Sequence, residues 1–159
     1  MGKPDLAIFD LDNTILNGDS DYSMINYLVD INLLDKAAKL KNDEFIKDYQ
    51  QGQLDFNQYT NFALKPYIGK TQDEINEIIL PFVERIIEPM INVFALKLIH
   101  DHHDKGDTIL LASATNELIV KPIAERLSIN HVIGTKVEFK NNQCSGDFIP
   151  PSALGAGKL

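Results

Sequence analysis

Leu6-Ala7-Ile8-Phe9 is a short, unbroken apolar run that stops abruptly at Asp10-Leu11-Asp12-Asn13-Thr14. A run of this length, bounded by turn-forming polar residues, predicts a strand buried on both faces, as in parallel sheets. Thr108-Ile109-Leu110-Leu111-Ala112 repeats the arrangement and ends at Ser113-Ala114-Thr115-Asn116. Two buried strands thus deliver polar side chains at their carboxyl ends, where open α/β sheets place their sites.

The segments between and after these strands alternate in type. Met90 to His103 carries Met90, Ile91, Phe94 and Leu98 at helical spacing, and Lys105-Gly106 supplies a stop. Glu117 to Leu127 repeats the pattern through Leu118, Ile119 and Ile123, although Pro122 should kink it or lower its stability. Val132 to Thr135 and Val137 to Phe139 read as two later, shorter strands. Strand, helix, strand, helix in succession predicts a Rossmann-like α/β core with a parallel sheet.

Residues 17–88 have another character. Helix formers are dense, and Thr71-Gln72-Asp73-Glu74 before Ile75, Ile78 and Ile79 is a capping-box signature. Several short helices are expected. All five tyrosines fall here, beside Phe45, Phe56, Phe62 and Phe82. The reading favours the core of a small helical module over an aromatic ligand wall, because aromatics dominate burial in small cores.

Charge and composition narrow the function classes. Asp and Glu number 23 against 15 Lys and Arg, a formal charge of −8. That field repels a polyanion, so nucleic acid is not expected as a partner. No window approaches the roughly 20 apolar residues of a membrane span, and no membrane partner is expected. Cys144 is the single cysteine, so no disulfide framework marks a secreted scaffold and the cytoplasm is the expected location.

Asp10 and Asp12 carry the most specific chemistry. Two carboxylates brought together at a strand end repel unless a cation or a shared proton relieves them. Mg²⁺ suits the position, because it is hard, takes oxygen ligands, and binds through one or two carboxylates plus substrate phosphate. A helix N-cap or solvated turn would use the same residue types.

Phe9-Asp10-Leu11-Asp12-Asn13-Thr14-Ile15-Leu16 resembles the first motif of the haloacid dehalogenase-like hydrolases, and Leu110-Leu111-Ala112-Ser113-Ala114-Thr115 resembles their second. Asn17-Gly18-Asp19-Ser20-Asp21 and Lys121 to Leu127 are similar to the phosphoserine phosphatase-like subfamily. The likeness extends over essentially the whole chain. It implies a hydrolase core over residues 1–16 and 89–159, with residues 17–88 inserted as a helical cap.

The resemblance also implies roles. Asp10 would be the nucleophile that forms an aspartyl phosphate, and Asp12 the acid and base that protonates the leaving oxygen and then activates water. Ser113, with Ala114 beside it, would bind the transferring phosphoryl group, and Thr14 would support the loop. Mg²⁺ would be held by the Asp10 carboxylate and the Asp12 backbone carbonyl. Lys158, in Gly155-Ala156-Gly157-Lys158-Leu159, would be the third motif's lysine that neutralises Asp10 and the phosphoryl oxygens; it is otherwise a lysine near the end of a chain. Asp19 would contact a substrate amine, or would serve as a helix N-cap for Tyr22 onward.

The sequence departs from the family pattern in two places. No Asp or Glu follows Asp147, so the family's fourth, acidic motif has no counterpart in these residues, as expected of a chain without the C-terminal strands that carry it or, equally, of a fragment of a longer one. Weak metal binding and impaired turnover are expected, with a catalytically inactive phosphate-binding or interaction protein as the alternative. Leu6 to Phe9 would then be an exposed edge able to pair with a second copy, giving a homodimer. Ser113-Ala114-Thr115 also replaces the Ser-Gly-Gly of phosphoserine phosphatases, and the only arginines are Arg85 and Arg126. The expected substrate is therefore another small phosphorylated metabolite, amine-bearing, rather than phosphoserine. His100-Asp101-His102-His103-Asp104 reads as a solvated helix end rather than a zinc site.

Overall fold

The computed structural model describes residues 2–150. Four strands form one sheet in the order β1-β2-β3-β4, with β1 at Leu6–Phe9, β2 at Thr108–Asn116, β3 at His131–Lys140 and β4 at Gln143–Ile149. β1 pairs with β2 and β2 with β3 in parallel, whereas β3 and β4 run antiparallel. The expected α/β core with a mostly parallel sheet is what the chain forms.

Helices α1 (Ser20–Asp30), α2 (Lys36–Gln50), α3 (Phe56–Leu64) and α4 (Gln72–Phe82) lie between β1 and β2, followed by α5 (Val93–Asp104); α6 (Glu117–Arg126) joins β2 to β3. Their starts are written in the sequence. Asp19, Asp35, Asp55, Asn92 and Asn116 each accept a hydrogen bond from a first-turn N–H, and Thr71 with Glu74 closes the predicted capping box. Pro122 sits within α6 without ending it.

The apolar faces converge on one core. Phe9, Ile109 and Leu111 from the sheet join Met24, Leu28, Leu64 and Phe82 from the helices between β1 and β2 in a continuous buried cluster. The chain leaves and re-enters the sheet region by paired segments: Leu16 and Ile91 form an antiparallel bridge, Asn17 N donates to the Met90 carbonyl, and Asn92 N donates to that of Ile15, both at 2.8 Å.

Three expectations are corrected. β1 is not buried on both faces: Leu6 and Ile8 are 59% and 63% exposed while Phe9 is buried. Side chains alternate along β1, so Leu6 and Ile8 share the face opposite to that of Phe9, and it is this face that stays uncovered. The two short strands expected at 132–135 and 137–139 are one, β3, because Thr135 and Val137 are both buried and pairing simply passes from β2 to β4 between them. β4 itself was not anticipated; Asn141 and Asn142, with φ of 52° and 65°, form the two-residue turn that makes the hairpin. Finally, α5 starts at Val93 rather than Met90, since Asn92 caps it and Glu88–Met90 is a separate short turn.

Candidate active site

Past Phe9 the chain turns sharply. Leu11 and Ile15 are wholly buried, and that burial drives the loop into the core while leaving the carboxylates between and before them at its mouth. The Asp10 side chain accepts from Leu11 N at 2.9 Å. Asn13 takes the left-handed conformation, φ 56°, which asparagine tolerates well. Its N–H donates to the Gly18 carbonyl at 2.9 Å and so closes the loop.

A cavity of about 340 Å³ opens at the carboxyl ends of β1 and β2. Asp10, Asp12, Asp19, Ser113 and Ala114 all line it, so these sequence-derived site residues come together. Thr14 does not: it is exposed and lies outside the cavity lining, because the turn directs Ile15 inward. Lys158 lies outside the described residues.

The Asp12 carboxylate accepts from both α1 and β2. Ser20 N and Ser20 Oγ each donate to Oδ1 at 2.7 Å, and Thr115 Oγ1 donates to Oδ2 at 2.8 Å. Ser113 is buried, and its Oγ accepts from Thr115 N at 3.1 Å. Asp19 does cap α1, accepting from Tyr22 N at 2.8 Å, while still lining the cavity. The N–H groups that a helix start leaves unbonded are thus taken up by acidic side chains, which draws these carboxylates to one place.

Reasoning from sequence missed Ser20, Asp21, Thr115 and Asn116 as members of this site. Asp21 is buried, lines the cavity, and accepts from Asn116 Nδ2 at 3.3 Å. The N-cap at Asp19 signals that Ser20 offers a free helix N–H; nothing in the sequence signals which strand residue meets it.

The electrostatics are one-sided. The described lining residues include four aspartates and neither Lys nor Arg. Burial, then the charge of Asp12, raises the Asp19 carboxyl to about 6. Burial, with Asp19 and Asp12 adding to it, holds the Asp21 carboxyl well above the usual range. Burial and the same carboxylates also raise the Tyr59 hydroxyl. A site of this kind favours a cation, a proton or an ammonium group.

The opposite wall is apolar: Phe45, Tyr49, Leu54, Phe56 and Tyr59 line it. Phe45 also packs against Tyr59 and Phe62, with ring centroids 5.4 and 5.1 Å apart, so the aromatics serve both as helical core and as cavity wall. Among the described residues no three His, Cys, Asp or Glu are grouped as a metal centre. One carboxylate and one carbonyl do not need such a group, since Mg²⁺ completes its octahedron with water and phosphate; Asp10 and the Asp12 backbone fit that donor set.

The histidine-rich end of α5 behaves as a helix end. His102 Nδ1 lies 2.7 Å from Asp107 Oδ2, and His100 and His103 are exposed. No helix among the described residues is long and apolar enough to cross a membrane.

Comparison with known proteins decides the family. The haloacid dehalogenase-like hydrolase profile matches residues 7–159. The chain belongs to that family. A histidinol-phosphatase of Neisseria meningitidis serogroup C (strain 8013) is 36% identical over 156 residues, which span 97% of this chain and 70% of that one. A Bordetella pertussis Tohama I protein of unknown function superposes with a TM-score of 0.88 at 28% identity, covering 99% of this chain and 71% of its own. A phosphoserine phosphatase bearing a phospho-aspartyl intermediate analogue shares the fold, with a TM-score of 0.61, 18% identity, and 92% and 63% of the two chains covered. The haloacid dehalogenase-like chain described here is accordingly a hydrolase by descent.

Proposed function

We propose that this protein is a Mg²⁺-dependent phosphomonoester hydrolase that works through an aspartyl phosphate on Asp10 and takes a small, amine-bearing substrate. The observation that carries the reading is the convergence of Asp10, Asp12 and Ser113 on one cavity at the ends of two parallel strands. The histidinol-phosphatase relative, at 36% identity, supports an amine-bearing phosphate ester, and so do the cation-seeking Asp19 and Asp21.

In this reading an Asp10 carboxylate oxygen attacks phosphorus. The new O–P bond forms as the ester P–O bond breaks, and Asp12 gives its proton to the departing oxygen. Water then loses a proton to Asp12 and attacks the same phosphorus, and the bond to Asp10 breaks to release phosphate. Ser113 Oγ hydrogen-bonds the phosphoryl oxygens. Mg²⁺, held by the Asp10 carboxylate and the Asp12 carbonyl, would neutralise charge between two anions. Asp19 and Asp21 would receive the substrate ammonium, with the aromatic wall against its apolar body.

Hydrolysis of histidinol phosphate and para-nitrophenyl phosphate with Mg²⁺ tests the proposal. Asp10→Asn should lower kcat at least about 10³-fold while leaving the melting curve intact, because Asp10 is exposed. Inactivity of the folded parent over a broad phosphate panel would instead favour a non-catalytic binding protein.

A further inference from the structure

The Asp12 carboxylate bridges two elements distant in sequence. Ser20 is the first residue of α1, and Thr115 lies next to the end of β2. Both are buried, at 0% and 3% exposure. Their hydroxyl oxygens are 3.3 Å apart, and each hydroxyl has a single proton to donate. With both protons directed to Asp12, neither is left for the other hydroxyl.

The two oxygens of Asp12 are consequently unlike. Oδ1 takes two donors, Ser20 N and Ser20 Oγ, and is saturated. Oδ2 takes one, Thr115 Oγ1, and keeps acceptor capacity. Asp12 itself lines the cavity.

We propose that Ser20 and Thr115 are positioning residues that make Oδ1 the anchor of Asp12 and Oδ2 the oxygen that exchanges protons with the substrate. The proposal rests on the reading of Asp12 as acid and base. Oδ2 delivers its proton to the ester oxygen as the P–O bond breaks and later receives one from the attacking water. Thr115 Oγ1 donates to Oδ2 in both states, so the carboxyl group keeps its orientation through the cycle. One anchor belongs to α1 and the other to β2. The acid and base is therefore in place only when the start of α1 is docked against the end of β2.

Thr115→Val keeps the side-chain shape and removes the donor; Ser20→Ala removes one of two donors to Oδ1. Thr115→Val should lower kcat about 10- to 100-fold with KM changed less than about threefold. Thr115→Ser should restore most of kcat, and Thr115→Val should add no further loss in an Asp12→Asn background. Parent-like kcat in folded Thr115→Val, or losses that multiply with Asp12→Asn, would overturn the proposal. Melting of the Asp12→Ala and Thr115→Val single and double variants supplies a readout that does not need turnover. Non-additive losses support the clamp, and additive losses overturn it. A parent with no hydrolysis but with non-additive melting would sink the acid and base reading of Asp12 while retaining the clamp. If Thr115→Val fails to fold, Ser20→Ala carries the same kinetic test, with a smaller loss of kcat expected.

Discussion

Asn116 Nδ2 donates to Asp21 Oδ1 at 3.3 Å, joining the last residue of β2 to the second residue of α1 in a buried setting. The same Asn116 accepts from Leu118 N at 3.1 Å and so also caps α6. Asn116→Ala removes a cap and leaves a buried carboxyl without that donor, and should cost about 1–3 kcal/mol in denaturant unfolding. A loss no larger than that of an exposed substitution would show that the contact carries no stability.

Asp21 is held well above the usual carboxylate range, chiefly by burial. A carboxyl with a raised folded pKa binds more protons folded than unfolded, so its ionisation erodes stability as pH rises from about 4. Asp21→Asn should therefore melt higher than the parent at pH 7, and the two curves should converge at acid pH, where both states are protonated. An unchanged difference across pH would contradict the assignment.

Asp19 ionises near pH 6 in the folded protein because burial and Asp12 oppose its charge. Above that pH it is an anion able to hold an ammonium group. KM for an amine-bearing phosphate ester should fall as pH rises through about 6, and KM for an amine-free ester should not. Asp19→Asn should abolish the difference between the two esters.

Gly134 lies in β3 against the irregular stretch of β2. A Cβ there would meet the Thr115 carbonyl oxygen at 3.3 Å and Glu117 Cα at 3.4 Å, both backbone atoms with little room to yield. Gly134→Ala should cost about 1–3 kcal/mol. It should also lower kcat, because relief of the contact displaces Thr115. Full activity at parental stability would show that the two strands separate freely.

Among the described residues β1 is an edge of the sheet, and Leu6 and Ile8 present an apolar face on it. Such an edge templates pairing with another chain, and a lysine on it opposes pairing. Sedimentation should show concentration-dependent association that Ile8→Lys removes without lowering the melting temperature, since Ile8 is already exposed. A parent that stays monomeric at every accessible concentration would end this expectation.

The alternation of strand and helix through β1, α5, β2 and α6, the cap at Asp19, the capping box at Thr71, and the placement of Asp10, Asp12 and Ser113 at strand ends were legible in the amino-acid order. Each depends on neighbours within a few positions: apolar periodicity selects the element, and a short polar side chain satisfies the N–H groups of a helix start. Thr14 lies outside the cavity lining because a motif gives positions along the chain, whereas the side chain that turns inward is chosen by which apolar neighbour the core accepts, here Ile15. Exposure of Leu6 and Ile8, the continuity of β3 and the meeting of Ser20, Asp21, Thr115 and Asn116 were decided only by the tertiary structure. Those facts depend on which faces the helices cover and on contacts across some 95 residues of chain, such as Ser20 with Thr115, which no local pattern encodes.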